Sequence, residues 1–408
     1  MSCFIPEPHE PTLTIPPVQW TRWQAPNATK LSEITSFGVG GQARSVVTAT
    51  TEAELIDAVR TADEEGTELL LVGGGSNILA GDGDFDGVIV RDGREQIETV
   101  FEEGCPGARM HVTAGTPWDA VVVYAVEHGW MGMEALSGIP GSAGAAIVQN
   151  IGAYGQEVAG TVALARTYDR LTKKVRTIFM SEMRLGYRTS LLKQSMRGGS
   201  SDSENSTAAS DGDARKWGPS PRWIVLDVDF QLRLASLSEP VRYSQLAQRL
   251  GVEPGARAAS ADVRAAVLEL RRSKGMVLDA TDRDTFSAGS FFINPVLTEA
   301  KAASLPPEAP RYTVTDPAAV AQIGAAAPKV PGLVKTSAAW LMDHAGFGPG
   351  YGMPGPAALS SKHALALTNR GGASAEQIAA LARKVRDGVR ARFGVTLEPE
   401  PVLVGIDI

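Results

Sequence analysis

Between Ser137 and Glu157 the chain reads SGIPGSAGAAIVQNIGAYGQE. Gly138, Gly141, Gly144, Gly152 and Gly155 stand there among mostly small or apolar neighbours. Each glycine costs about 1 kcal/mol against alanine in a helix, so the stretch is a poor helix, and without side chains it is a poor core strand. Close approach of the backbone to something large and flat accounts for it, and so does tight packing against its own sheet. A second run, LVGGGSNIL at 71–79, places three glycines, a serine and an asparagine after an apolar segment. Successive backbone N–H groups in such a bend form a concave donor array, and glycine leaves a phosphate room to approach. The run suits a diphosphate, although a plain glycine turn would read the same. It is neither GxGxxG nor GxxxxGK[ST], so neither the dinucleotide fingerprint nor the P-loop applies.

Around these runs, secondary structure is legible. Thr51 and Glu54 form a capping box, and Leu55, Ala58, Val59 and Ala62 make a helical stripe that stops at Gly66. ELLLV at 68–72 and GVIV at 87–90 read as strands. A helix is expected from Thr116 to Gly129, then a strand at 223–232. Further helices are expected near 259–273, 337–345 and 375–392, and a last strand in VTLEPEPVLVGI. Alternating strand and helix favours a layered α/β or α+β architecture. At 408 residues, two or three domains are expected. Residues 1–27 are Pro-rich and aperiodic and read as a flexible extension, while 196–221 is polar, Gly/Ser-rich and reads as a mobile insert.

A net charge of -7 argues against nucleic acid, which needs clustered Lys and Arg, so an anionic ligand must be met by local groups. Two cysteines, Cys3 and Cys105, give no CxxC and no metal-ligand spacing, and no metal is expected. The N-terminus lacks the basic start and apolar run of a secretory signal, and no stretch approaches the ~20 apolar residues of a membrane span. A cytoplasmic protein without membrane insertion is expected.

TSFGVGGQA at 35–43, GGGSN at 73–77, the glycine array, LGYRTSLLK at 185–193, SAGSFFINP at 287–295 and LEPE at 397–400 occur in an order that resembles the UDP-N-acetylenolpyruvoylglucosamine reductases. The likeness runs from about residue 30 to the C-terminus and includes the subtype with a tyrosine loop. It implies an α+β FAD-binding fold of the vanillyl-alcohol-oxidase (PCMH) type, with two α+β domains around FAD and a third α+β domain for substrate. The boundaries would be 28–93 and 94–235 for the FAD subdomains, 236–392 for the substrate domain, and 393–408 for a strand carrying a catalytic glutamate. Implied too are non-covalent FAD, NADPH as co-substrate, UDP-N-acetylglucosamine enolpyruvate as substrate, and a monomer.

By that resemblance Gly73, Gly74, Gly75, Ser76 and Asn77 would cradle the FAD diphosphate, and Ile139, Pro140, Gly141, Gly152, Ala153 and Tyr154 would line the rest of the cofactor. Ser290 would donate a proton, where a bland reading makes it a turn or cap residue beside Gly289. Arg188 would fork onto the substrate carboxylate; otherwise it is a surface arginine. Glu400 would help only as a neutral acid, since an ionised carboxylate repels a developing enolate. Glu398 is its counterpart on the same face of the expected strand. Tyr243, Lys274 and Asn294 would hold the sugar nucleotide, although Lys274 also suits a helix C-terminus by charge. Ile293 departs from the family, standing where lysine is common. Ala145 and Ala146 replace hydroxyl residues of some relatives. The competing expectations are a FAD oxidase acting on another small molecule and a binding module without turnover.

Overall fold

The computed structural model describes residue 16 and residues 28–197, 216–316 and 327–408. Most of the N-terminal extension and residues 198–215 of the polar insert lie outside them.

The first unit is a β-α-β layer. Strands Ala43–Ala49, Phe85–Asp92 and Glu68–Val72 form a parallel sheet in that spatial order. Helix Glu52–Glu65 crosses it with Leu55, Val59 and Ala62 buried. Its start is fixed reciprocally: Thr51 Oγ1 accepts from the Glu54 N–H, the Glu54 carboxylate accepts from the Thr51 N–H, and left-handed Gly66 ends the helix.

The second unit is an antiparallel sheet in the order Lys174–Phe179, Val162–Asp169, Trp223–Leu234, Gly107–Thr113, Ile97–Glu103, with short strand Trp130–Met131 on the end of the long Trp223–Leu234 strand. Helix Trp118–Glu127 buries Trp118, Val121, Val122, Ala125 and Val126 against it. So does helix Ala143–Gln149, which lies inside the glycine array. That stretch reads as a poor helix, yet Ser142 caps it through the Ala145 N–H, and a Cβ on Gly144 would sit 2.8 Å from Ala114 Cβ. Here glycine permits close helix-on-sheet packing, which outweighs its propensity cost.

Helices Ser244–Leu250 and Ser260–Ser273 pack together over a small core with Ala135. A larger core joins Phe291, Phe292, Leu341, Leu359 and one face of helix Ala375–Phe393 to Phe37 and Leu79 of the first unit. The last strand is shorter than expected, running over Val402–Val404 in parallel with Ile78–Ala80, while just before it Pro399 makes an isolated antiparallel bridge to Phe292. Pro399 and Pro401 have no N–H to offer a ladder. This pairing brings the C-terminus beside the GGGSN loop, where the Val402 N–H donates to Asn77 O at 2.9 Å.

Candidate active site

The GGGSN loop leaves the C-terminal end of parallel strand Glu68–Val72, the usual place for a ligand crevice in such sheets. The 139–142 turn faces it. A Cβ on Gly73 would lie 2.6 Å from Ser142 Oγ, and one on Gly74 would lie 2.8 Å from Gly141 Cα. Ser76 Oγ donates to Pro140 O at 3.2 Å, linking the two turns. Gly75 has φ +64 and would press a Cβ onto Ile34 O at 2.0 Å. The first two glycines therefore serve the approach of one loop to the other, and the third serves the bend.

Together the loops wall a cavity of about 560 Å³. Gly73 to Asn77, Ile139, Pro140, Gly141 and Gly152 line it, as do Ser290, Arg188 and Glu400. Glycine walls into which side chains cannot project, apolar Leu70, Ile139 and Val225, and the buried cation Arg271 fit a long cofactor with a flat ring system and an anionic middle. Neither Cys nor His is among these lining residues.

Arg188 takes left-handed backbone, φ +57, as do Asn150 and Tyr154 nearby in the fold. Such conformations are costly for non-glycine residues and cluster at functional sites. Its guanidinium donates to Gly152 O at 2.6 Å and Asn150 O at 3.3 Å, and Nε lies 3.3 Å from Glu400 Oε1. Gln149 Nε2 donates to the same Glu400 oxygen at 2.9 Å. Lys193 Nζ donates to Gln149 Oε1 at 2.7 Å, and since an ammonium only donates, it fixes which way the amide points. Burial lowers Lys193 to about 8. Both donors converge on Glu400 Oε1. Exposed Glu398 does not line the cavity.

Ser290 caps no helix. It follows Gly289, whose φ of +70 favours glycine although a Cβ there would meet only Met276 Cε at 3.8 Å. Phe291 and Phe292 behind it are fully buried, their rings edge-on 5.1 Å apart. Ser290 Oγ lies 3.1 Å from His363 Nε2. Burial, then the charges of Lys274 and Arg271, hold this imidazole down to about 4.

Other expected site residues stand off the cavity wall. Tyr154 and Tyr243 meet edge to face at 5.4 Å, with Lys274 Nζ 5.6 Å from the Tyr154 ring. Lys274 ends helix Ser260–Ser273 and donates to Gln245 Oε1 at 2.7 Å. Asn294 Oδ1 accepts the Ala338 N–H at the start of a helix, and Asn294 bonds Tyr187. Ala153 belongs to the two-residue strand beside Gly152. Sequence reading missed His363, Gln149, Lys193 and Arg271. Arg271 is buried in the cavity wall, donates to Gly138 O and Met276 O, and is lowered to about 10 by burial. Only its place in the RRSKG run marked it.

Residues 43–167 match the family described as FAD binding domain, and residues 281–404 match UDP-N-acetylenolpyruvoylglucosamine reductase, C-terminal domain. The UDP-N-acetylenolpyruvoylglucosamine reductase of Cutibacterium acnes is 45% identical over 93% of this chain and 90% of its own. That of Streptomyces avermitilis is 46% identical over 93% and 94%. A crystal structure of the Thermus caldophilus reductase covers 92% of this chain and 97% of its own at 22% identity, with a TM-score of 0.55, and so shares its fold. The expected α+β flavin fold and the motif order agree with these matches, and the chain belongs to the UDP-N-acetylenolpyruvoylglucosamine reductase family.

Proposed function

We propose that this chain reduces UDP-N-acetylglucosamine enolpyruvate to UDP-N-acetylmuramate with NADPH and non-covalent FAD, a step in peptidoglycan precursor synthesis. What FAD supplies when bound, after NADPH has reduced it, is the hydride for the terminal vinyl carbon. Negative charge then develops on the carbon beside the substrate carboxylate. Arg188 takes that carboxylate in its planar fork and favours the form with more charge on oxygen. Ser290 gives its hydroxyl proton to the carbon, with Phe291 and Phe292 behind it keeping bulk water from competing. When Arg188 turns to the substrate, Glu400 loses its cationic neighbour and gains an anionic one, a change that favours the protonated acid able to donate a hydrogen bond.

In this reading 28–93 and 94–235 hold the cofactor, 236–392 the sugar nucleotide through Tyr243, Lys274 and Asn294, and 393–408 returns Glu400 to the cavity. Gly73 to Asn77 take the diphosphate of FAD, with Ala153 and Tyr154 at its far end. All these groups come from one chain, so a monomer suffices. A cytoplasmic setting suits NADPH and a sugar nucleotide, and no helix among the described residues is long and apolar enough to cross a membrane.

The observation that carries the proposal is that Ser290, Arg188 and Glu400, from three distant segments, wall one cavity with both glycine loops. Stopped-flow absorbance of the flavin tests it. NADPH should bleach the bound flavin, and the enolpyruvyl UDP-sugar should restore its colour much faster than dissolved oxygen does. Reoxidation faster in oxygen than with the sugar nucleotide would favour an oxidase instead.

A further inference from the structure

A serine hydroxyl has one hydrogen, and the direction of that hydrogen decides whether Ser290 can give it up. Its side-chain contact is His363 Nε2, 3.1 Å away, and two arrangements are possible. If Ser290 donates to the imidazole, its proton points away from the cavity. If the imidazole donates to Ser290, the proton is free to face a ligand.

We propose that His363 is a positioning residue that donates Nε2–H to Ser290 Oγ, aims the serine proton into the cavity and steadies the oxygen as that proton leaves. The inference rests on the reading of Ser290 as proton donor. The step moves one proton: the Ser290 O–H bond breaks as the substrate C–H bond forms, and solvent water returns a proton to Ser290. A neutral imidazole carries one N–H, and the low value near 4 keeps it neutral at working pH.

The surrounding backbone holds the pair in register. The Phe291 N–H, next to Ser290, donates to Leu365 O at 2.8 Å. The His363 N–H donates to Ser360 Oγ at 3.1 Å, and its carbonyl accepts the Ala366 N–H at 3.0 Å. Asp284 anchors the same turn, accepting from the Ser361 N–H at 2.9 Å and Ser361 Oγ at 2.7 Å while pairing with Arg370. A donor fixed before reaction acts on charge as it develops, without reorganising.

The test uses the FAD-loaded enzyme and compares H363F, H363Q and S290A by stopped flow in both half-reactions. H363F should reduce with NADPH at the parent rate and reoxidise with enolpyruvyl UDP-sugar about 10² to 10³ times more slowly, the loss typical of one fixed donor. H363Q, whose amide nitrogen can stand near the lost Nε2, should recover part of this. ¹⁵N NMR of the imidazole, in the loaded enzyme and in the protein stripped of FAD, should show the Nε2–H tautomer. An Nδ1–H tautomer overturns the proposal, as does H363F slowing both half-reactions alike. If S290A slows reoxidation and H363F does not, the His363 proposal alone fails. If S290A itself does not slow it, the proton-donor reading fails. Should H363F not fold, the tautomer and H363Q decide, with parent-like reoxidation in H363Q supporting a donor and a loss as large as in S290A overturning it.

Discussion

Glu400 and Arg188 share one electrostatic problem, because each holds the other at 3.3 Å and in the proposed reaction a substrate carboxylate would claim the arginine. A glutamine at 400 can still donate a hydrogen bond to that substrate, and an alanine cannot. Steady-state kinetics should therefore show Glu400→Gln retaining more kcat than Glu400→Ala, and equal losses would remove the hydrogen-bond role. His363 carries a separate consequence for stability. Its imidazole stays neutral in the fold to about pH 4, against an ordinary value near 6.5. Between those values the unfolded chain binds a proton that the folded chain does not, so stability is lost as pH falls through that window. Denaturant unfolding should show a shallower decline from pH 6.5 to 4 in His363→Phe than in the parent. Much of this chemistry was hidden in the sequence. Ser290, Arg188 and Glu400 stood in quotable motifs, and so did Gln149 and Lys193, whereas His363 stood in none; the last three matter through partners dozens to hundreds of residues away, and no local pattern marks such pairs.

At the scale of elements, the glycine turns are packing devices before they are ligand cradles. Gly74→Ala would place a Cβ 2.8 Å from Gly141 Cα and 2.9 Å from Gly141 N, both backbone atoms that cannot swing aside. Overpacking of this kind costs about 1–3 kcal/mol, and it would part the two turns that wall the cavity. Thermal unfolding of the FAD-free protein and FAD titration should both register the change. Gly83→Ala, with nothing within 4 Å of its Cβ and no positive φ, should leave both near parent values. Helices such as Glu52–Glu65 and Ala375–Phe393 were legible because cap, stripe and glycine stop coincide. Helix Ala143–Gln149 was not, since contact with the sheet, not its own propensity, selects glycine there. The final strand was overestimated because its apolar alternation is visible, while Pro399 and Pro401, without N–H groups, limit the pairing before Val402 to an isolated bridge between Pro399 and Phe292.

For the molecule as a whole, the acidic balance of the chain is evened out in the cavity wall, where Arg91, Arg188 and Arg271 stand with Asp92, Glu95 and Glu400, and Lys274 and Lys193 add positive charge beside it. Burial lowers both Lys274 and Arg271, so these cations stand partly desolvated where an anionic ligand would compensate them. The fold brings them together by returning its C-terminus: strand Val402–Val404 pairs beside the GGGSN loop, and Glu400, just before it, meets Arg188 and Gln149 from the second unit while Ser290 arrives beside the core built on helix Ala375–Phe393. Distant segments of the chain then converge on one hydroxyl, that of Ser290. Flavin reoxidation by enolpyruvyl UDP-sugar, followed by stopped flow in Ser290→Ala loaded with FAD, tests it most directly. With Ser290 as the proton donor the rate should fall by about 10² to 10⁴, the usual worth of a positioned acid, with reduction by NADPH unchanged; reoxidation at the parent rate would contradict that role.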